Sequence, residues 1–526
     1  MLGRSTGQRE LGDVESWAGH LLPAGSVFGF LAGHRRQLFP DGMFADLFGS
    51  ERGRPSVPAD VISSVIVLQA LYGLSDREAA DAVTFDLRWK AALGLPIEAA
   101  AFHPTVLTYW RRRLAASDRP NRIFEVVRTV VHETGALKGR TRRALDSTVL
   151  DDAVATQDTV TQLIAAIRRV RREVPEAAAV IGRVCSAHDY DDPGKPAIAW
   201  DDEAARTALV DALVADAHRL LGHLPDAERG SKQTEALALL ALIAGQDVEW
   251  IDDENLPAGG AWRIARRVAE DRVISVHDPD ARHAHKSVTR RQDGFKAHLA
   301  VEPDTSLITG CKLTKASGEG SADAAAGIGL IDSDSTLPPA GEHDQPIEVL
   351  GDSAYGTGEM LDSLARNGHR ALVKPWPINP AVPGGFTVDD FIVDAQAGTL
   401  TCPNGITRPI NRARRVNFGV ACQDCPLRSR CTGSRTGKSM RLREHDALAR
   451  THRARAAEPD FQASYKQHRP MVERSIAWLV AGRNRRLRYR GTIKNNAWLH
   501  HRSAALNLRR LLALGLHQAN GSWAIA

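Results

Sequence analysis

Three acidic residues stand where carboxylates could bind divalent metal ions. Asp352 follows the apolar segment Ile-Glu-Val-Leu-Gly, which predicts a buried strand. A second strand candidate lies within residues 142–150, and we expect Asp146 at the end of that strand. Glu473 comes three residues after Pro470, where we expect the first turn of a helix. Open α/β sheets bind ligands at the carboxyl ends of their strands. Convergent carboxylates there could hold the metal ions that assist an in-line phosphoryl transfer.

Each acid also has an explanation that involves no chemistry. An Asp-Ser pair after a strand, as at Asp146 and Asp352, is commonly a turn or helix cap. An acid in the first turn of a helix, as expected for Glu473, is favoured by the helix dipole. Each acid alone is therefore weak evidence for a metal site.

The elements that must position the acids follow from the spacing of apolar residues. A hairpin that turns at Pro303, two helices and a further strand are predicted, over residues 293–313, 321–330, 358–366 and 371–374 respectively. This order describes a mixed sheet flanked by helices. Because 206 residues separate Asp146 from Asp352, the mostly helical segment 151–269 must be an insertion.

The N-terminal part is predicted to be helical from residue 58 to residue 113. Ser75, with Glu78 three residues later, predicts a capping box that opens a new helix after the turn at Gly73. A second short unit begins at His103 and runs into a basic, aromatic end. Short helices with a glycine turn resemble a helix-turn-helix DNA-binding module, although many helical bundles share this pattern.

Positive charge is concentrated in two regions, although the formal net charge of the whole chain is only +5. From Met471 to the end there are ten Lys and Arg residues and one acid, which suits a phosphate backbone or, alternatively, a solvated helix face. A second group precedes and enters the predicted hairpin: Lys286, Arg290, Arg291 and Lys296. We interpret it as phosphate contacts, the alternative being exposed charges at a strand edge.

Two tryptophans, Trp250 and Trp262, lie just before the chain returns from the predicted insertion to the sheet. An indole near the acids could stack on a base turned out of a DNA duplex. The alternative is that both side chains fill the core of the insertion.

Four of the six cysteines lie close together in the sequence: Cys402, Cys422, Cys425 and Cys431. The spacing of Cys422 and Cys425 is that of a zinc knuckle, and Pro-Asn-Gly after Cys402 provides a tight turn. The pattern predicts a closed structural zinc site in a reducing cytoplasm, the alternative being four reduced thiols in surface loops.

A rival metal cluster could form from His277, Asp278, His283 and His285, and would suit a zinc-dependent hydrolase. We favour a polar loop before the hairpin, because no helix or fixed turn would bring these rings together.

Length and composition exclude several classes of protein. A chain of 526 residues exceeds the size of one hydrophobic core and predicts roughly three or four domains. Its first ten residues contain no apolar core or cleavage site, so we expect no signal peptide. No apolar run approaches the ~18 residues that a membrane helix needs. We therefore expect a cytoplasmic protein without a membrane partner.

The motifs occur in an order that resembles a known family. They are Ala-Leu-Asp146-Ser-Thr, Asp278-Pro-Asp280-Ala-Arg282, Asp293-Gly-Phe-Lys296-Ala-His298, Gly351-Asp352-Ser-Ala-Tyr355-Gly and Arg469-Pro-Met-Val-Glu473-Arg. Together they resemble the DDE transposases of bacterial insertion sequences, specifically the insertion-sequence 1182 family. The resemblance implies an α/β, ribonuclease-H-like catalytic core whose metal-holding triad is Asp146, Asp352 and Glu473. It also implies two Mg²⁺ or Mn²⁺ ions per active site.

The expected organisation combines this resemblance with the predicted elements. A helical DNA-binding domain (1–140) precedes the catalytic core (141–150 and 273–375), a helical insertion (151–272), a cysteine-rich zinc segment (376–445) and a C-terminal catalytic helix with a basic tail (446–526). The enzyme would bind terminal inverted repeats, cut them and join them to target DNA, next to the bacterial nucleoid. Cutting two ends implies at least a dimer on DNA.

One departure from the wider group concerns the residues around Glu473. In the wider group, a Tyr is separated by two residues from an Arg, the Arg by three residues from the Glu, and the Glu by six residues from a Lys. Arg469 fits, but Tyr465 lies one residue early and position 480 is Val, so Arg483 is the expected substitute for the Lys. The alternative function is a DNA-binding regulator derived from a transposase whose chemistry has decayed.

Overall fold

The structure is a computed structural model that describes residues 1–5, 12–49, 52–225, 227–254, 259–267, 269, 271–285, 291–337 and 346–526, with the backbone alone at His285 and Arg291. It is a mixed α/β protein built around a six-stranded sheet. The strands of that sheet are β1 (Arg142–Asp151), β4 (Arg282–His285), β5 (Arg291–Glu302), β6 (Leu307–Lys315), β7 (Glu348–Gly351) and β8 (Arg370–Val373).

The sheet has both parallel and antiparallel strands. β5 lies antiparallel to β1 on one side and to β4 and β6 on the other, whereas β7 and β8 run parallel to β1. The order across the sheet is therefore β6 and β4, β5, β1, β7, β8. The predicted hairpin is confirmed as β5 and β6, and the predicted strands that precede Asp352 and contain Asp146 are neighbours.

Seven N-terminal helices precede the sheet in the described part of the chain: α1 (Val14–Ala18), α2 (Val27–Leu38), α3 (Ala59–Tyr72), α4 (Asp76–Phe85), α5 (Leu87–Leu93), α6 (Thr105–Ala115) and α7 (Arg122–Glu133). The predicted capping box is confirmed, because Ser75 Oγ accepts from the Glu78 N–H at 3.2 Å and Glu78 accepts from the Ser75 N–H at 2.7 Å. The first helix of the predicted segment, α3, is buried on all sides from Ala59 to Ala70, including Ser63 and Ser64.

Two long helices close the main core: α16 (Pro459–Val480) and α17 (Thr492–Ala513). Leu479 and Leu508 on these helices share one apolar cluster with Ile62 of α3 and with Phe295 on one face of the sheet. The N-terminal helices, the sheet and the last helices are thus packed around common apolar side chains. A small C-terminal hairpin, β14 (His517–Ala519) and β15 (Ser522–Ala524), follows.

The prediction for the start of α16 was wrong. We expected a helix to begin near Pro470, but it begins at Pro459, a favourable first position, and Pro470 lies inside it. Proline in a helix interior removes one backbone hydrogen bond. Burial of Phe461, Val472 and Leu479 along the same helix offsets that cost, because apolar burial stabilises the packed helix. Glu473 therefore lies in the middle of a long helix.

The segment between β1 and β4 has its own apolar core. It contains α8 (Thr159–Glu173), α9 (Ala177–Val184), α10 (Glu203–His223) and α11 (Ser231–Gln246), then the hairpin β2 (Val248–Asp252) and β3 (Gly260–Ile264). We predicted helix for most of this segment and missed the hairpin, in which residues of β2 alternate between exposed and less exposed positions.

The remaining elements flank the sheet or form the cysteine-bearing segment. Helices α12 (Asp323–Asp332), α13 (Gly358–Arg366) and α15 (Asp446–Ala456) pack near the sheet, and the first two confirm predicted helices. The cysteine-bearing segment contains β9 (Ile392–Asp394), β10 (Thr399–Thr401), β11 (Thr407–Pro409), β12 (Arg415–Asn417), α14 (Arg428–Cys431) and β13 (Ser439–Arg441).

Among the described residues, no single helix is both long and apolar enough to cross a membrane. The bent pair α3 and α4 passes a test of length and apolar composition, but α3 is buried inside the protein.

Candidate active site

Neighbouring parallel strands bring two of the three predicted acids together. Arg142 of β1 pairs with Glu348 of β7, and Ala144 pairs with Leu350. Two residues further along each strand direction come Asp146 and Asp352, so the same register sets them side by side. Asp352 follows β7 as expected, but Asp146 lies in the middle of β1 and not at its end, because β1 continues to Asp151 in its pairing with β5. Asp352 also acts on the pKa of Asp146, as expected for close carboxylates.

A buried guanidinium joins the first acid to the third. Arg469 on α16 places Nη2 at 3.1 Å from Asp146 Oδ1, and its Nη1 donates to the carbonyl oxygen of Leu145 at 2.9 Å. One turn later on the same helix face, Glu473 Oε1 lies 3.9 Å from Arg469 Nε. The structure therefore gathers Asp146, Asp352 and Glu473 around Arg469.

Burial and the guanidinium act in opposite directions on Asp146. Burial raises the pKa of Asp146, Arg469 partly offsets this, and Asp352 raises it further. Burial alone would lower the pKa of Arg469, but Asp146, Tyr465 and Asp352 together outweigh burial and the net change is upward. The pair is thus mutually stabilised in a site that disfavours isolated charge.

The other two acids are more open. The Glu473 side chain is 64% exposed. Asp352 is half-buried, and its Oδ1 accepts from the Ala354 N–H at 2.9 Å, which fixes the turn after β7. Tyr355 ends that turn and is buried against Gly351, where an added Cβ would lie 2.9 Å from the Tyr355 ring. Glycine is therefore required immediately before Asp352.

The donor set suits hard divalent cations, because all three side chains offer carboxylate oxygens. Within the parts of the chain that the structure describes, however, no three His, Cys, Asp or Glu side chains are arranged to hold a metal ion. Arg469 lies between Asp146 and Glu473 instead. The three carboxylates therefore lie in one region, but their oxygens are not arranged as a set of metal ligands.

Tyr465 lies beside this cluster despite its unusual spacing. It precedes Arg469 by one helical turn, and burial raises its pKa while Arg469 opposes the shift and Asp352 adds to it. The expected Lys substitute, Arg483, lies beyond the end of α16 with a side chain that is 83% exposed, 3.9 Å from Glu78 Oε1.

The predicted basic group near the hairpin is only partly visible. Lys286 and Arg290 lie outside the described residues, and the side chain of Arg291 is not described. Lys296 donates to the Ser321 carbonyl oxygen at 3.1 Å and lies 3.3 Å from Asp323 Oδ2. Its ammonium is therefore held by the start of α12.

Trp250 and Trp262 face each other across the β2–β3 hairpin. Their rings meet edge to face with centroids 5.6 Å apart, and Trp262 packs against the core of the helical segment. Trp250 is 42% exposed, and its Nε1 donates to Asp252 Oδ1 at 2.9 Å. The hairpin packs on α10 and α11.

Four cysteines line one small cavity in the segment that follows the sheet: Cys402, Cys422, Cys425 and Cys431. Cys422 is buried, and its Sγ accepts from the Lys438 N–H at 3.4 Å. Burial raises the pKa of the Cys431 thiol, Lys438 opposes this, and the other three cysteines add to it. The thiols are close, but the described residues contain no set placed at ligating positions.

The rival histidines do not converge in the described residues. His283 Nδ1 lies 2.6 Å from Asp293 Oδ1, whereas His277 lines a different groove with Arg490. The His285 side chain is not described. Asp278 accepts from the Gly491 N–H at 3.0 Å, so this acid fixes the loop before α17.

The structure also reveals a basic groove of about 680 Å³ that was not predicted as a unit. It lies between the turn after α3 and the loop after α16, and its lining includes Arg77, Arg483, Arg486 and Arg488. The signal was present as five arginines within residues 483–490, but we counted them only as tail charge. Sequence alone did not place them opposite Arg77.

Two segments of the chain match families of known proteins. Residues 401–512 match the family described as Transposase DDE domain. Residues 35–113 match the family described as Transposase domain (DUF772). No curated protein and no solved structure matches the chain significantly. The first segment contains Arg469 and Glu473, and the second contains α3 to α5 and most of α6. Together they support a DDE transposase.

Proposed function

We propose that this protein is a transposase that cuts the ends of an insertion sequence and joins them to target DNA in a metal-dependent reaction. The observation that carries the proposal is the meeting of Asp146 and Asp352 on neighbouring strands, with Glu473 linked to them through Arg469. Three carboxylates on two strands and one helix suit a phosphoryl-transfer site. The order of the five motifs favours the insertion-sequence 1182 family.

The sheet supports a ribonuclease-H-like core. Its first three long strands, β1, β5 and β6, form an antiparallel meander, and β7 and β8 then run parallel to β1. On this proposal, the helical segment between β1 and β4 is an insertion into that core.

The roles of the residues follow from their contacts. Asp146, Asp352 and Glu473 would hold two Mg²⁺ or Mn²⁺ ions through carboxylate oxygens. Such ions, when bound, lower the pKa of water and stabilise charge that develops on a phosphate. Arg469 keeps Asp146 and Glu473 on one side of the site and offsets the cost of burying Asp146.

The basic groove supports DNA as the partner. The loop after α16 is fixed to the end of β1, because the Asp151 N–H donates to Arg485 O at 2.9 Å and the Leu487 N–H donates to Asp151 O at 2.8 Å. Arg488 also donates to the carbonyl oxygen of Gly73. α16 continues for seven residues beyond Glu473, roughly 10 Å at 1.5 Å per residue. DNA phosphates bound in the groove would thus lie near the acids.

The test is cleavage of a duplex that carries the inverted repeat flanking the coding region. We expect full-length protein to nick this duplex with Mg²⁺ or Mn²⁺, and to assemble on paired ends as a dimer or larger. Binding measured over a range of salt concentrations should weaken steeply as salt rises, because phosphate contacts release counterions. Absence of nicking with every metal, with binding intact, would favour a decayed DNA-binding regulator.

The cysteine-bearing segment is proposed to hold one structural zinc ion. Its four thiols share a cavity, and the Lys438 N–H donates to Cys422 Sγ, which fixes the position of that sulfur. Zinc ligands are rarely preformed without the ion, so binding would draw the sulfurs together. The ion would have a closed, tetrahedral four-sulfur shell.

Zinc binding is tested by changing two of the thiols. We expect about one zinc per chain in protein purified under reducing conditions, and its loss in the double variant Cys422→Ser and Cys425→Ser, because two of four ligands are removed. The matched control is Cys185→Ser. The Cys185 thiol lies outside the cysteine-bearing segment, where it donates to the Asp216 carbonyl oxygen of α10. Elemental analysis that finds no zinc in the reduced wild-type protein would refute the site.

A further inference from the structure

The segment Lys374-Pro-Trp376 lies beside the turn that carries Asp352. Strand β8 pairs in parallel with β7, with Gly351 opposite Val373, and the Lys374 N–H donates to Gly351 O at 3.0 Å. Lys374 thus leaves its strand at the level where Asp352 leaves the neighbouring strand. The segment therefore begins at the carboxyl ends of β7 and β8, at the level of the sheet where Asp146 lies beside Asp352.

The position of this segment is fixed from two sides. A Cβ added at Gly356 would lie 2.9 Å from Lys374 O and 3.4 Å from the Trp376 backbone nitrogen, so these backbones are in close contact. On the other side, His452 Nε2 donates to Val373 O at 2.7 Å, which ties the end of β8 to α15. Lys374 and Trp376 therefore keep their place relative to Asp352.

The structure shows no stacking or pairing partner within the described residues for the side chains of Lys374 and Trp376. Trp376 is 50% exposed and Lys374 is exposed. Among the described residues, no aromatic ring stacks on Trp376 and no carboxylate pairs with Lys374. Trp250, also exposed, differs because its indole packs on Trp262 and bonds to Asp252.

We propose that Trp376 and Lys374 bind the nucleotide next to the scissile phosphate, an inference that rests on the proposed function. An exposed indole offers a flat surface on which any base can stack, and an adjacent ammonium can contact a phosphate. Both groups stand at the edge of the acid site, where the reacting phosphate must lie if Asp352 takes part. The fitting ligand is therefore a nucleotide of the DNA end, with its base partly or wholly unstacked from its neighbours.

The experiment places 2-aminopurine at each position around the nick in the end duplex, and measures its fluorescence with full-length protein and Ca²⁺. We expect one position to respond with wild-type protein. The response should disappear in Trp376→Ala, persist in part in Trp376→Phe, and be unchanged in the matched control Trp200→Ala, an exposed tryptophan of the segment between β1 and β4. Nicking with Mg²⁺ should fall roughly 5- to 150-fold in Trp376→Ala, the loss expected for one stacked base.

Lys374 is tested by salt dependence. Lys374→Ala should reduce the slope of log affinity against log salt by about one phosphate contact, whereas Lys374→Arg should retain it. Thermal unfolding of each variant separates these effects from loss of fold.

Several outcomes separate this inference from the proposed function. Normal nicking with an unchanged 2-aminopurine response in folded Trp376→Ala would overturn the nucleotide contact and leave the transposase proposal standing. If the wild-type protein never nicks DNA but gives a 2-aminopurine response that depends on Trp376, the nucleotide contact stands and the transposase proposal is overturned. Equal losses in Trp376→Ala and Trp200→Ala would also overturn the assignment, because the effect would not be specific to the site.

Discussion

Asp146→Asn, Asp352→Asn and Glu473→Gln are each expected to reduce DNA nicking by at least roughly 1000-fold. On the proposed function, each change removes a charge that would hold metal, worth several kcal/mol at ~1.4 kcal/mol per tenfold change in rate. Each replacement keeps nearly the same shape. Binding to the end duplex in Ca²⁺ is expected to stay within a few-fold of wild type, since the basic groove is untouched.

The three variants test different parts of the site. Asp146→Asn also removes the buried partner of Arg469, so its thermal unfolding must be measured alongside activity. Glu473 is exposed, and Glu473→Gln gives the clearest reading because little stability depends on that charge. The control is Glu228→Gln, an exposed acid outside the cluster. Nicking retained by any folded triad variant would remove that residue from the proposed site.

The strands of the sheet could be predicted because their signals are local. Alternation of apolar residues predicts β5 and β6, and the buried segment before Asp352 predicts β7. Neighbouring positions for β1 and β7 followed from the expectation of a mixed sheet. The register that sets Asp146 beside Asp352 did not, because strand pairing depends on contacts between residues 206 apart.

Other features could not be read from the sequence because tertiary contacts decide them. Pro470 suggested a helix start, yet α16 continues past Pro470 because burial of Phe461 and Leu479 stabilises the helix on both sides of it. The sequence does not indicate that Trp376 lies near the acids, and only the structure places its backbone against Gly356, in the turn that follows Asp352. Lys296 was interpreted as a phosphate contact, but its ammonium is engaged by the N-terminal end of α12.

Arg502 shows how charge alone misleads. We counted it with the basic tail that suits DNA, but its side chain is buried, 1% exposed, and cannot face a phosphate. Burial lowers its pKa to about 9, which still leaves it charged at pH 7. Its guanidinium donates to backbone carbonyl oxygens at the ends of two helices: Ala70 and Leu71 of α3, Trp478 and Leu479 of α16, and Ala481 just beyond.

A cation is favourable there, because the C-terminal ends of α3 and α16 both carry partial negative charge. Arg502 therefore ties the N-terminal helices to the helix that carries Arg469 and Glu473. The planar guanidinium reaches five carbonyl groups, which a single ammonium could not do with the same geometry.

Arg502→Met is expected to lower the free energy of unfolding by about 3 kcal/mol or more, since leaving a buried carbonyl without a donor costs ~1–3 kcal/mol and five are affected. Arg502→Lys should fall between this variant and the wild type. The matched control is Arg509→Met on the same helix, where the guanidinium is exposed over the Trp478 ring and the loss should stay within about 0.5 kcal/mol. Urea unfolding followed by circular dichroism measures all three. Equal midpoints for Arg502→Met and Arg509→Met would mean that the carbonyl groups find other donors, and that Arg502 does not hold α3 and α16 together.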